Sequence, residues 1–182
     1  MIRNVEIGRV CLGEQETFEF LRDFRGLVLW SETVDRVEVL EPSEDGEDYR
    51  IRIRVRLGSM VPMTTEMVVR VEPSERRVTL YSNDRLKRFS ACLTVLSSAS
   101  GTHVQLETKL FFSQAFRWAG LLIGDEFFRQ NRRALERLVR VCEELSALEH
   151  AGIAPTAENL LLSRRSPPAS VAPRRMKVRG ET

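Results

Sequence analysis

The sequence predicts an α+β domain in which a curved antiparallel sheet of six to seven strands grips one long C-terminal helix. Three observations carry this expectation. Arg50-Ile51-Arg52-Ile53-Arg54-Val55-Arg56-Leu57 alternates charged and aliphatic residues without a break, which gives a strand one buried and one wet face. Further runs of the same two-residue period surround it, bounded by turns rich in Pro, Gly, Ser and Asp. From about Gln114 to Glu149 proline is absent, and apolar residues recur every three or four positions instead. Strands with one apolar face need one cover, and this helix supplies it.

The elements follow in order. Val5 to Leu12 reads as a first strand, with Val5, Ile7, Val10 and Leu12 as its apolar side. Gly13-Glu14 ends it, and Phe18 and Leu21 then recur at helical spacing behind Glu14 and Glu16, which suit a helix N-terminus. Gly26 stops this short helix, and a second covers Leu27 to Glu32 and carries Trp30. Val37 and Val39 belong to the next strand, which closes at Pro42; the polar turn from Ser43 to Asp48 leads into the arginine strand. After a connection from Gly58 to Pro62, Thr65, Met67, Val69 and Val71 point inward, with Glu66, Arg70 and Glu72 outward. Val78 and Leu80, then Phe89, Ala91, Leu93 and Val95, form the inner faces of two more strands. Ser100-Gly101 turns the chain into a last strand with Val104, Leu106, Thr108, Leu110 and Phe112 inward, opposite His103, Gln105, Glu107 and Lys109. On the long helix the inner stripe holds Phe127, Phe128, Asn131, Ala134, Leu135, Leu138, Val141, Cys142, Leu145 and Leu148. Arg132 with Glu136, and Glu136 with Arg140, stand at pairing distance on the other side. Gly120 and Gly124 mark an expected kink, and Gly152 with Pro155 the end.

Composition narrows the class. The 182 residues are 42% hydrophobic and 30% charged, an ordinary globular mixture long enough to bury a core. The longest apolar run, Trp118 to Ile123, falls far short of the roughly 20 residues that span a bilayer. The first residues lack the apolar stretch of a secretory leader, so a cytoplasmic protein is expected. Cys11, Cys92 and Cys142 are dispersed, and His103 and His150 have no ligand cluster beside them; no metal or cofactor is expected. The net charge of +2 is uneven. Residues 163–182 hold six basic side chains against one acidic, a net of +5, which leaves residues 1–162 at −3. With Pro167, Pro168 and Pro173 also there, the expected organisation is a domain over 1–150 and a disordered basic tail over 151–182. The charge of 163–182 fits weak contact with RNA or an anionic membrane surface. No pattern sets an oligomeric state.

Motifs of catalysis are missing. There is no glycine-rich phosphate loop, no Ser-His-Asp order and no HExxH. Asp23 and Glu32 flank the helical pair and fit helix ends. His103 falls on the outer strand face. Outward Glu38, Glu66, Glu72 and Glu107 are expected to pair with the arginines across the sheet, and no aromatic residues interleave as nucleic-acid stacking would need. Met60, Met63 and Met67 surround one strand connection, while Phe111, Phe112, Phe116 and Trp118 crowd the junction into the long helix. Plain core packing and the wall of a ligand cavity both account for them.

The order of elements, the stretch Leu21-Arg22-Asp23-Phe24 … Trp30 … Val34 … Val37-Glu38-Val39-Leu40-Glu41, and the Gly101-Thr102-His103-Val104 turn and strand resemble a known superfamily. It is the START/Bet v 1-like (SRPBCC, helix-grip) superfamily, and within it the polyketide cyclase/dehydrase and lipid-transport group. The resemblance covers roughly residues 2–148. It implies non-catalytic binding or transport of a lipid, quinone or polyketide-like molecule between sheet and C-terminal helix. The implied ligand-binding residues are Trp30, Ile53, Val55, Met60, Met63, Met67, Phe89, Phe112 and Phe128, with Asn131 to orient a ligand or to bond a neighbouring side chain or water. Two alternatives stand beside this: an aromatase/cyclase-type enzyme, and an interaction protein like the coenzyme Q-binding and ribosome-associating relatives, using the basic tail. No inward-facing acid–base pair is legible, which favours binding over catalysis.

Overall fold

The computed structural model describes residues 1–42, 48–56, 62–83, 87–112 and 117–165. In chain order the elements are β1 (Ile2–Val10), α1 (Glu14–Arg22), a 3-10 turn (Phe24–Gly26), α2 (Leu27–Trp30), β2 (Val34–Pro42), β3 (Asp48–Val55) and β4 (Met63–Glu72). A second 3-10 turn (Pro73–Glu75) leads to β5 (Arg77–Asn83), β6 (Lys87–Ser98), β7 (Gly101–Phe112), α3 (Arg117–His150) and α4 (Ala157–Arg165). The seven strands form one antiparallel sheet in the order β1-β7-β6-β5-β4-β3-β2. The α+β architecture is the expected one. Among the described residues, no helix is long and apolar enough to cross a membrane.

The registers fix which side chains share a face. Val55 stands opposite Met63, Ile53 opposite Thr65 and Ile51 opposite Met67, so the aliphatic half of the arginine strand lines the concave side. Ile51, Val69, Val78, Leu93 and Val104 on that side are essentially removed from water. The arginine half lies outside, and Arg52 and Arg56 are paired there, as is Arg70 on β4. Arg52 meets Glu66 at 2.9 Å and Glu38 at 3.6 Å, Arg56 meets Asp35 at 3.0 Å, and Arg70 meets Asp48 at 2.9 Å. Lys109 and Arg3 both reach Glu107 and hold its carboxyl below the usual range. Such exposed pairs contribute little individually, but they settle the outer face without a partner.

The first strand differs from expectation. Its apolar residues Val5 and Ile7 lie on the outer face, 42% and 59% exposed. The even-numbered positions turn inward, because Gly8 faces α3: a Cβ there would come within 3.1 Å of both Leu135 Cγ and Val139 Cγ2. Strand alternation then places Ile2, Asn4, Glu6 and Val10 on the same side as Gly8. Close approach of the helix, rather than local hydropathy, sets the register of β1.

Helix α3 runs unbroken through Gly120 and Gly124. Leu135, Leu138, Val141, Cys142 and Leu145 form its buried stripe. It ends in a Schellman arrangement: Ile153 N–H donates to Leu148 O at 2.9 Å, with Gly152 in the left-handed region at φ 75°. Arg132 pairs with Glu136 as the spacing predicts, at 3.4 Å. Glu32, just past α2, ties this helix to the helical pair through Arg137 at 3.1 Å. Asp23 caps the 3-10 turn, accepting from Arg25 N–H at 3.3 Å and from its guanidinium at 2.8 Å and 3.0 Å. Both carboxylates serve the helix ends, as expected.

The stretch read as a disordered tail needs correction over Ala157–Arg165, where the chain forms α4. Thr156 Oγ1 accepts from Asn159 N–H at 3.2 Å and caps the helix. Ala157 and Leu160 are buried, the former 3.7 Å from the position of a Cβ on Gly26, and Arg164 binds Glu144 with both of its carboxylate oxygens. The helix therefore covers the 3-10 turn and the last third of α3. Residues 166–182 lie outside the described residues.

Three measurements check this packing. Gly8→Val should destabilise by about 1–3 kcal/mol, because neither Leu135 nor Val139 can retreat from the seam; a denaturant midpoint equal to the parent would contradict the close approach. Ending the chain after Pro155 should lower the thermal midpoint by several degrees, whereas ending it after Arg165 should not; Leu160→Ala in the full chain should cost about 2 kcal/mol. Burial pushes the Cys142 thiol up to about 12, while Cys11 is exposed. A thiol reagent at pH 8 should label Cys11 in the native protein and Cys142 only after unfolding.

Candidate functional site

The concave face has two unlike ends. At one end, where β1 finishes and β3 begins, α1 and the 3-10 turn close the sheet, and α2 runs from there toward the start of β2. Phe18, Phe20, Leu21, Phe24, Leu27, Leu29 and Trp30 are all buried in these elements, and Phe24 meets Tyr49 edge-on at 5.3 Å between centroids. The strand residues beneath, from Ile51 to Val104, are packed dry. Toward the opposite end Ile2, Leu110 and Phe89 share one cross-strand row, which continues through Ser82 to Met67 and Ile51, and Met63 and Val55 lie four positions further along β4 and β3. Large apolar side chains line the concave side here, with Thr65 among them, and burial falls away. Met63 is 48% exposed and Phe128 37%, while Val55, Phe89, Leu110 and Phe127 are half-buried.

The candidate residues divide across these ends. Trp30, Ile53 and Met67 are buried and belong to the packed part. Val55, Met63 and Phe89 stand at the accessible end. Phe128 is 37% exposed. The ring that reaches Phe89 is Phe127, edge-on at 6.5 Å, and Phe128 leans against Phe127 at 6.3 Å on the solvent side. One residue on a helix is a rotation of about 100°, which the spacing of neighbouring aromatics could not resolve. Met60 and the side chain of Phe112 lie outside the described residues.

Asn131 joins a small polar group under α3. Its Nδ2 donates to Thr108 Oγ1 at 2.7 Å, and Thr108 is buried. Asn4 stands directly opposite Thr108 in the β1–β7 register and donates to Glu6 Oε1 at 3.3 Å. Asn4 and Glu6 escaped the sequence reading because the apolar alternation of Val5 and Ile7 assigned them to solvent. Gly8, flanked on the inner parity by no large residue, is the signal that would have found them.

Two surface grooves lie elsewhere. One, between α1 and β2–β3, is lined by Glu19, Arg22, Asp23, Phe24, Arg25, Val39 and Tyr49, and its charges satisfy one another: Arg22 pairs with Glu19 and Arg25 with Asp23. The other crosses the outer strand face around Thr79, Cys92 and Glu107. Neither places an apolar wall beside unmatched polar groups. Among the described residues no cluster of His, Cys, Asp and Glu could hold a metal ion.

Comparison with known proteins fits this architecture. The family model described as polyketide cyclase / dehydrase and lipid transport matches residues 13–143. No curated protein matches the sequence. Among solved structures, the Zhui aromatase/cyclase of Streptomyces sp. R1128 superposes with a TM-score of 0.65 at 14% identity, over 78% of this chain and 93% of that one. A START superfamily protein of Mycobacterium smegmatis gives 0.58 at 13% identity, over 77% and 98%. A protein of Thermus thermophilus gives 0.59 at 17% identity, over 79% and 94%. At such identities the likeness is one of fold. The family match spans well over half of the sequence, and the chain belongs to the polyketide cyclase / dehydrase and lipid transport family.

Proposed function

We propose that this chain binds a hydrophobic small molecule, without transforming it, at the accessible end of the concave face beneath the first half of α3. One observation carries the reading: an apolar inner surface that is packed dry at one end stays apolar and reachable at the other. Val55, Met63, Phe89 and Phe127 leave large side chains where water reaches them, although the same strands bury Ile51 and Val69 completely. Apolar area left accessible forgoes roughly 25 cal/mol per Å² of burial, a deficit that an apolar guest would recover. Methionine and aromatic side chains adapt to a guest of irregular outline. A lipid, quinone or polyketide-like molecule has the required character, and the family description is in keeping with it.

A cyclase-type enzyme would need a base and an acid facing the guest. Among the concave strand positions whose side chains are described, Glu6 is the one carboxylate, and no histidine, lysine or cysteine stands beside it. Binding is therefore the reading preferred over turnover.

Titration with the apolar fluorophore Nile red tests the proposal. The parent should bind saturably. Met63→Lys places an ammonium at the accessible end and should weaken binding about tenfold with little change in denaturant midpoint, since the residue is already half in water. Leu138→Ala, at the packed end, should show the reverse: a loss of about 2–5 kcal/mol of stability with affinity retained. No saturable binding by the parent, or equal effects of both substitutions on affinity, would overturn the assignment.

A further inference from the structure

Beside β1 the concave face carries a polar group that includes a carboxylate. Gly8 fixes the inner parity of β1, so Asn4 and Glu6 face α3 with it. Thr108 on β7 and Asn131 on α3 complete the group. It sits along β1 between the packed seam at Leu135 and the accessible end at Ile2 and Phe127.

The bonds inside the group spend one N–H of each amide and leave an oxygen of the Glu6 carboxylate over. A carboxylate can only accept, so the 3.3 Å contact with Glu6 Oε1 must be made by the amide N–H of Asn4. That fixes Asn4 with its carbonyl oxygen turned away from Glu6. Asn131 uses an N–H on Thr108, which leaves its own carbonyl oxygen over. Among the described residues Asn4 Oδ1, Asn131 Oδ1 and Glu6 Oε2 have no protein donor, and Glu6 has no cationic partner. No side-chain oxygen or nitrogen sealed from solvent lacks a partner in the described residues. These three oxygens therefore open onto accessible space rather than onto packed atoms. A carboxylate oxygen beside an apolar wall suits a guest that can donate to it.

We propose that the ligand is amphipathic, with an apolar body and a hydrogen-bond donor, a hydroxyl or an ammonium group, seated on Glu6, Asn4 and Asn131. The inference rests on the binding reading above and names the class of ligand it would take. A guest whose polar end only accepts, such as an ether or ester, would leave the Glu6 carboxylate unpaired and lose affinity.

A matched set of ligands tests it on the full chain: 1-naphthylmethanol, its methyl ether, and 1-naphthylmethylammonium, titrated by calorimetry. The alcohol or the ammonium should bind about five- to tenfold tighter than the ether, as one hydrogen bond to an ionised or amide oxygen allows. Preference for the ammonium over the alcohol would show that the charge of Glu6 is used, and the reverse preference that the amide oxygens dominate. Glu6→Gln, of nearly unchanged volume, should reduce the preference while leaving ether affinity in place. A second variant, Thr108→Val with Asn131→Leu, removes both ends of one bond and strands neither; it should flatten the preference further. Thermal melts of each variant confirm that it folds. Equal binding of all three ligands, or a preference unchanged in both variants, overturns this inference while the binding site stands. Absence of binding by every member of the set overturns both.

Discussion

The seam between Gly8 and α3 is the constraint on which the rest of the molecule depends. A strand residue without a side chain lets Leu135 and Val139 press onto the backbone of β1. That contact seats a 34-residue helix along one edge strand of a seven-stranded sheet. It also decides which parity of β1 faces inward, and so brings Asn4 and Glu6 under the helix. On the far side of the helix, Glu32 reaches Arg137 and binds α2 to the same rod. With β1 and α2 both fixed to α3, the sheet must curl to bring its remaining strands around them. The concave face is the product of that curl.

Stability and recognition then separate along the face. The end closed by α1 and the 3-10 turn is sealed by ordinary apolar burial, and α4 adds Ala157 and Leu160 to the same side. Most of the hydrophobic free energy of the domain resides there. The end lined by Val55, Met63, Phe89 and Phe127 contributes less to holding the chain together, because its side chains have only partly left water. A fold arranged this way tolerates change at its mouth. Fold similarity to proteins of under 20% identity is what such tolerance predicts.

Much of this was legible in the sequence, and the failures share a cause. The unbroken alternation from Arg50 to Leu57 specified a half-buried strand, and its register with β4 follows the pattern residue by residue. The alternation also matches outward acids to outward arginines, and Arg52 does bind Glu38 and Glu66. Where two patterns competed, local hydropathy lost to packing. Val5 and Ile7 are the apolar half of β1, yet the helix chose the half containing Gly8. Phe127 and Phe128 both satisfy the helical stripe, and the position of Phe89 selects the first. The charge and proline content beyond residue 162 drew attention from Thr156-Ala157-Glu158-Asn159 and the leucines after it, which together spell a capped helix.

The polar group under α3 links these points to the choice between recognition and turnover. A base that abstracts a proton needs a route for that proton and an acid to complete the cycle. Glu6 has amides as its neighbours, and an amide neither takes up nor releases protons near neutral pH. Its oxygens can hold a donor in one orientation, which is what a binding protein asks of a polar contact inside an apolar wall. Placing that contact on β1, beside the rigid seam at Gly8, holds it in a fixed position while the accessible rim adapts to the guest. In the binding mode proposed above, specificity is carried by the rigid edge and adaptability by Met63 and the aromatic pair.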